Sequence, residues 1–202
     1  NEWYVRRARR ILQEREVGDQ VHTALRNKMR SSDATRQKLR YLWTLFATRG
    51  LSETDLIKLT RHPDEHMRRW AVTFLLDEAR PQGGDHPWRS TIDGTGDGIS
   101  EQLLTRLSQL ASDASPKVRL AVACSLRRLP AQQRWLLAAE LVENGQDKSD
   151  HYIPLITWYG LEPLVELDID RALSLATKSK LPTVTRLLAR RAADCSAAGV
   201  SS

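Results

Sequence analysis

Residues 62–79, HPDEHMRRWAVTFLLDEA, contain the pattern that most restricts the fold of this chain. At 100° per residue, one helical face collects the apolar side chains Met67, Trp70, Ala71, Phe74 and Leu75. Val72 and Leu76 lie on a second arc, so the segment has apolar surface on two sides. A helix packed between two neighbours needs such surfaces. The spacing therefore predicts a helix over 64–78 that lies inside a stack of helices.

The same pattern occurs three times along the chain, which predicts a repeat protein. In residues 62–79 an arginine, Arg68, follows Met67 and lies between the two apolar arcs, four residues after Asp64. In 113–126 Arg119 stands four residues after Ser115, and at the N-terminus Arg6 follows Glu2 at the same spacing. A buried arginine needs an acidic or carbonyl partner, because an unpaired buried charge costs several kcal/mol. We therefore interpret Arg6, Arg68 and Arg119 as structural residues rather than ligand-binding ones.

The rest of the chain also has helical periodicity, and no segment shows sustained alternation of apolar and polar residues. Helices are predicted at 2–15, 19–31, 35–48, 52–61, 64–78, 99–112, 117–128, 131–143, 151–167, 169–178 and 182–194. The predicted fold is an all-α HEAT/armadillo-like α-solenoid of degenerate helical hairpins. Its single domain spans 1–194, with an inserted loop at 80–98 and a flexible tail at 195–202. The arginine spacings of 62 and 51 residues exceed the roughly 40–47 of regular repeats.

The net charge of +6 is unevenly distributed along the sequence. Residues 1–50 carry twelve Lys and Arg against five Asp and Glu, and a basic end of this kind favours nucleic acid or an acidic partner. Charge-rich helices also simply present solvated faces. At 100° per residue, Arg6, Arg7, Arg9 and Arg10 are spread over a wide arc of a helix, and we do not expect all four to line one groove. Nucleic-acid binding is therefore kept as the alternative to a protein-interaction function.

The sequence predicts no catalytic, cofactor or metal site in this segment. His62 and His66 flank a helix start, which separates the two imidazoles, and HPDEH is not the HExxH arrangement. The run Asp93 to Gly98 begins like a calcium loop, but the twelfth position is Leu104, which has no ligand oxygen. Cys124 is interpreted as a small core residue, and the two cysteines give no disulfide framework. No apolar run reaches the roughly 18 residues of a membrane span.

Aromatic residues form the candidate surface for a protein partner. Tyr152, Trp158 and Tyr159 cluster in the most apolar stretch of the chain, and Trp88 lies in the predicted loop. Tyrosine and tryptophan are favoured at interaction hot spots, although aromatic residues at helical spacing also fill cores. Both interpretations of these four residues remain open at this stage.

Three stretches carry a resemblance to a specific family. They are WYVRRARRILQER (3–15), LRYLWTLFATRGLSETDLIKLTRHPDEHMRRWAV (39–72) and YIPLITWYGLEPLV (152–165), the last followed by RALSLATKSKLPTVTRLLARR (171–191). The chain resembles the HEAT-like middle segment of large multidomain proteins of Planctomycetes–Verrucomicrobia-type bacteria. In that family an N-terminal β-propeller, often labelled membrane-bound dehydrogenase, precedes the helical segment, and a cytochrome-c-like haem domain follows it.

The resemblance implies a spacer or docking segment between a redox domain and an electron acceptor. No CxxCH motif and no propeller lie within these 202 residues, so the haem and dehydrogenase sites of the family cannot be assigned to them. Export to the periplasm is likewise an implication of the family. Because the chain begins at Asn1 with residues that look mid-helix, we expect it to be part of a longer protein, with flanking domains as partners.

Overall fold

The computed structural model describes residues 1–15, 17–78 and 98–200, and these residues fold as helices without a β-strand. This confirms the all-α prediction. The eleven α-helices of the described residues are α1 Glu2–Glu14, α2 Asp19–Ser31, α3 Thr35–Ala47, α4 Glu53–Leu59, α5 Glu65–Glu78, α6 Glu101–Leu110, α7 Pro116–Ser125, α8 Ala131–Glu143, α9 Ile153–Val165, α10 Ile169–Lys178 and α11 Pro182–Val200. Short 3₁₀ turns follow α7 at Leu126–Arg128 and α8 at Gly145–Asp147.

The chain forms two compact units, Asn1–Leu75 and Leu76–Ser202, and the boundary falls within α5. The prediction of one domain over 1–194 stays a prediction. In the first unit α3 packs against α1 and α2, and its Leu42 and Leu45 are fully buried. The helix predicted at 64–78 is present as α5, and both of its predicted apolar arcs are buried apart from the half-buried Trp70.

Helix α9 is the central helix of the second unit and packs against α7, α8, α10 and α11. Its sequence is the most apolar in the chain, and helices that are apolar on all sides are buried ones. Gly160 allows the close approach of the turn after α7, because a Cβ atom at this position would lie 2.6 Å from the Cβ of Leu126. The most apolar stretch thus folds where neighbours cover it on several sides.

Helix α3 ends with Thr48 as its C-cap, followed by a residue in the left-handed conformation. The left-handed residue is Arg49, with φ of 58°, and Gly50 comes one position later. The N–H groups of Arg49 and Gly50 donate to the carbonyls of Phe46 and Leu45 at 3.0 and 2.7 Å, the pattern of a Schellman motif. Glycine is needed at 50 for space, since a Cβ there would lie 2.6 Å from the His22 ring.

Two expectations are corrected. Helix α11 continues to Val200, whereas the sequence analysis ended its helix at 194. Alanine, the residue with the highest helix propensity, recurs in this extension, and the hydroxyl of Ser196 donates to the carbonyl of Ala192 at 2.9 Å. The flexibility of 195–202 stays a prediction. Cys124 is exposed and is not a core residue, because its position on α7 falls outside the buried stripes formed by Val118, Val122 and Ala123.

Candidate functional site

The predicted structural arginines Arg68 and Arg119 share one local geometry. Each stands four residues after the N-cap position of its helix, at Asp64 in α5 and Ser115 in α7. The Nη1 group of Arg68 donates to the carbonyls of His62 and Pro63, both at 2.9 Å. The Nη1 group of Arg119 donates to the carbonyls of Asp113 and Ala114 at 2.6 and 3.2 Å. In both cases the side chain folds back and ties the helix to the turn before it.

Arg119 also forms a buried ion pair with Asp147. The Nε and Nη2 groups of Arg119 donate to the two carboxylate oxygens of Asp147 at 2.7 and 2.6 Å, and both side chains are almost fully buried. The hydrogen bonds to Asp147 raise the pKa of Arg119 and outweigh the effect of burial, which would lower it. The expected structural role, with both acidic and carbonyl acceptors, is therefore present at this residue.

Arg134 has the same geometry, and the sequence analysis missed it. It is 1% exposed and stands four residues after Pro130, the N-cap of α8. Its Nε and Nη2 groups donate to the carbonyl of Leu129 at 3.2 and 2.9 Å, and Nη1 donates to the carbonyl of Gly160 at 3.3 Å. Burial, together with the charge of Arg127, lowers the pKa of Arg134 to about 10. The signal in the sequence was Pro130, which starts a helix just as Asp64 and Ser115 do.

The prediction for Arg6 is wrong, because this residue is exposed and lies on no buried arc. The N-cap of α1 is Asn1, whose side chain accepts a hydrogen bond from the N–H of Trp3 at 3.0 Å. Arg6 therefore stands five residues after the N-cap, one position or 100° away from the place that Arg68 and Arg119 occupy. Glu2 pairs with Arg40 and Arg36, and their hydrogen bonds lower the pKa of Glu2 to about 2.

The aromatic candidates divide into exposed and buried residues. Tyr152 is 62% exposed and Tyr159 48% exposed, whereas Trp158 is a core residue at 8%. Tyr152 and Tyr159 are seven residues apart at the start and middle of α9, so they lie on the same side of that helix. Pro163 within α9 has no N–H to donate to the carbonyl of Tyr159, which lies one turn before it in the helix. Trp88 and the run Asp93–Asp97 lie outside the described residues.

The described residues of the first unit form a basic concavity that is lined by side chains from several helices. It has a volume of about 350 Å³, and helices α2 to α5 and the turns around α4 contribute to its lining. Four cationic side chains from three helices line it: Arg26 and Arg30 from α2, Lys38 from α3 and Lys58 from α4. Arg26 is held by a hydrogen bond of 2.6 Å from its Nη2 group to the carbonyl of Gly50. Arg30 and Lys58 are exposed at the rim.

The base of this concavity is apolar. Leu51 and Met67 are buried, and Met29 and Leu59 are half-buried beside them. The lining carries one carboxylate, Asp55, which caps α4 through its hydrogen bonds with Ser52. Burial would raise the pKa of Asp55, but the hydrogen bonds from Ser52 and the charges of Arg26 and Lys58 outweigh it and lower the pKa. The arrangement suits a ligand that combines negative charge with an apolar group.

His62 lines the same concavity and favours its neutral form. Burial, followed by the charge of Lys38, lowers the pKa of His62. Its Nδ1 atom accepts a hydrogen bond of 3.0 Å from the backbone N–H of Asp64. No signal in the linear sequence brought Arg26, Lys38, Lys58 and His62 together, because only the packing of the helices makes them neighbours.

A second, shallower groove lies along α1. Trp3, Arg6, Arg7, Arg10, Ile11 and Glu14 line it, so three of the four N-terminal arginines share one surface. Arg9 points elsewhere, with its guanidinium 5.2 Å from the ring centroid of Trp43. The expectation that the four arginines do not line one groove is confirmed.

In the described part of the chain, no group of three or more His, Cys, Asp or Glu side chains is arranged to hold a metal ion. No helix of the described residues has both the length and the apolar character needed to span a membrane. Comparisons with models of protein families, with curated proteins and with solved structures find no significant match.

Proposed function

We propose that this chain is a non-catalytic HEAT-like α-solenoid that serves as an interaction segment of a larger, redox-associated protein. Its ligands would be protein surfaces, either of flanking domains or of a separate partner. Repeats of paired helices bury their apolar faces against one another and present extended surfaces for binding. The redox association rests on the resemblance of residues 3–15, 39–72 and 152–191 to the multidomain family described above.

The observation that carries this proposal is the exposed pair Tyr152 and Tyr159. They lie on one side of α9, a helix whose buried side is fixed by four neighbouring helices. Tyrosines on a rigid support lose little conformational entropy on binding and are frequent hot spots. The three arginine anchors at Arg68, Arg119 and Arg134 support the proposal further, because they bind the chain's own carbonyls and hold helix starts in place.

Site-specific photocross-linking in the cells that produce the full-length protein tests this proposal. A photoreactive phenylalanine analogue at Tyr159 should give a discrete adduct with a flanking domain or another protein. The same analogue at exposed Asp170 in α10 is the control and should give none. Tyr152→Ala should reduce the yield of the adduct formed at Tyr159, because neighbouring hot spots act together. Absence of an adduct at Tyr159, or equal adducts at both positions, would contradict the proposal.

Nucleic-acid binding is the second candidate, and the groove of Arg6, Arg7 and Arg10 beside Trp3 favours it. Binding through phosphates releases counterions and therefore weakens steeply with salt. Fluorescence anisotropy with DNA and RNA oligonucleotides at about 50 mM and about 200 mM salt measures this dependence. Micromolar binding that decreases steeply with salt and is lost in Arg6→Glu/Arg10→Glu would favour nucleic acid. No binding at the lower salt concentration would remove this candidate.

A further inference from the structure

We propose that the basic concavity of the first unit binds an acidic peptide segment that inserts one large apolar side chain between flanking carboxylates. This goes beyond the tyrosine surface of α9 and rests on the proposed interaction function only in that its ligand is a protein segment. The composition of the lining, the position of its charges and the size of the concavity support this proposal.

Charge complementarity specifies the sign of the ligand. Among the described residues, the cations Arg26, Arg30, Lys38 and Lys58 face the concavity against a single carboxylate, Asp55. That carboxylate is already bound by the backbone N–H of Ser52 at 3.2 Å and by its hydroxyl at 2.9 Å. These two hydrogen bonds, made within the capping box of α4, already partly compensate the negative charge of Asp55. Arg30 and Lys58, in contrast, are exposed at the rim. Complementary potentials of this kind steer a partner and fix its orientation.

The apolar base distinguishes a peptide from a nucleic acid. Met29, Leu51, Leu59 and Met67 form the base, and methionine adapts its shape to an inserted apolar group. Single-stranded nucleic acids are bound by aromatic side chains on which the bases stack, and the described residues that line this concavity include no Trp, Tyr or Phe. A volume of about 350 Å³ has room for one large side chain and part of the segment that carries it. Leucine or tryptophan between glutamates fits these features.

The probe is a fluorescein-labelled octapeptide, acetyl-Gly-Glu-Glu-Leu-Trp-Glu-Glu-Gly, titrated with the full chain by fluorescence anisotropy. Two control peptides separate the contributions of charge and apolar contact. One replaces the four glutamates by lysine, and the other replaces Leu-Trp by Ser-Ser. Each control peptide should bind at least about tenfold more weakly, because each lacks one of the two complementary features. Equal binding of either control would overturn the proposal.

A pair of variants with the same net charge locates the binding site. Arg30→Glu/Lys58→Glu reverses two rim charges, and we expect it to weaken binding of the acidic peptide at least about tenfold. The matched control, Lys28→Glu/Arg61→Glu, changes two exposed cations that do not line the concavity but lie close to the mutated ones in the chain. It should change the affinity by less than about threefold, since only long-range attraction is altered. Circular dichroism should show all variants folded.

If both double variants bound the acidic peptide equally weakly, the peptide would be attracted by the net charge of the protein and not by the concavity. This result would overturn the proposal. A single-stranded oligonucleotide of eight residues that displaces the peptide and binds more tightly than it does would also overturn it, in favour of nucleic acid. Neither result would bear on cross-links from Tyr159, which lies in the other unit. Failure of this proposal is therefore distinguishable from failure of the proposed function.

An NMR titration of His62 provides a local readout. Saturation with the acidic peptide should raise the pKa of His62, because added carboxylates oppose the effect of burial and of Lys38. The charged groups around His62 are Lys38, Asp64, Arg68 and the cations and carboxylate of the concavity. A His62→Gln variant identifies the resonance. An unchanged pKa at saturation would place the peptide elsewhere and overturn the proposal.

Discussion

At the scale of single residues, burial decides what each arginine does. Arg119 and Arg134 are enclosed in the second unit and bind carbonyl oxygens, while Arg30 and Arg6 in the first unit are exposed and line concavities. The residue type is the same in all four cases. Desolvation makes an intramolecular acceptor necessary for the buried pair, because an uncompensated buried charge is strongly destabilising. The exposed pair has no such requirement and its members line surfaces open to ligands.

The pair of Arg119 and Asp147 gives a stability prediction at this scale. Asp147→Asn removes the charge that compensates buried Arg119, so the free energy of unfolding should decrease by about 3 kcal/mol. Glu166→Gln is the control, because Glu166 pairs with Arg191 at the surface, where such pairs contribute at most about 1 kcal/mol. Urea unfolding followed by circular dichroism measures both variants. Equal losses in the two variants would mean that Asp147 is not the main counter-charge of Arg119.

At the scale of secondary-structure elements, the register of a side chain relative to the helix start decides its environment. An arginine four residues after the N-cap folds back over the preceding turn in α5, α7 and α8. In the repeat pattern Glu2 aligns with Asp64, and this alignment places Arg6 in the wrong register by one residue. The N-cap at Asn1 is decided by a hydrogen bond to Trp3, which the repeat pattern does not include.

The end of α3 gives a prediction in which two neighbouring substitutions have opposite signs. Arg49→Gly should stabilise the protein by up to about 1 kcal/mol. In the left-handed conformation a residue with a Cβ atom is destabilised by about 1–2 kcal/mol, and glycine avoids this strain. The gain exceeds the roughly 0.5–1 kcal/mol of backbone entropy that glycine costs. Gly50→Ala should destabilise it by about 1–3 kcal/mol, because the new methyl group would overlap the His22 ring.

Urea midpoints of the two variants and of the unmodified protein provide the measurement. A loss of stability in Arg49→Gly would contradict the assignment of Arg49 as the left-handed residue. A neutral Gly50→Ala would mean that His22 moves aside at little cost, in spite of its contacts of 3.2 and 3.1 Å with the carbonyl and hydroxyl oxygens of Thr48.

At the scale of the whole molecule, charge is divided between the two units. Residues 1–75 carry sixteen Lys and Arg against nine Asp and Glu, whereas residues 76–202 carry fifteen against sixteen. The basic concavity and the groove along α1 lie in the first unit, and the exposed tyrosines of α9 lie in the second. The proposed acidic ligand would therefore bind the first unit, and the proposed tyrosine-bound partner would bind the second.

The second unit should fold without the first. Its core contains fully buried side chains from six helices, among them Leu107, Val122, Leu141, Leu161, Ala172 and Leu188. We expect a fragment of residues 76–202 to be helical by circular dichroism and to unfold in one cooperative urea transition. The same fragment with Leu161→Ala, which should lose about 2–5 kcal/mol, is the control for a packed core. A fragment that shows no transition would mean that this core depends on residues 1–75.

The amino-acid sequence alone predicts the helical class, nearly all helix positions and the buried arcs of α5, because periodicity and helix-start residues are local properties. It also identified Arg68 and Arg119 as residues that need internal acceptors. Tertiary structure decided which side chains at distant positions meet. Asp147 reaches Arg119 from 28 residues away, and α2, α3 and α4 bring four cations around one apolar base. Such neighbours depend on how helices pack, and helical periodicity alone contains no information about the angle or depth of that packing.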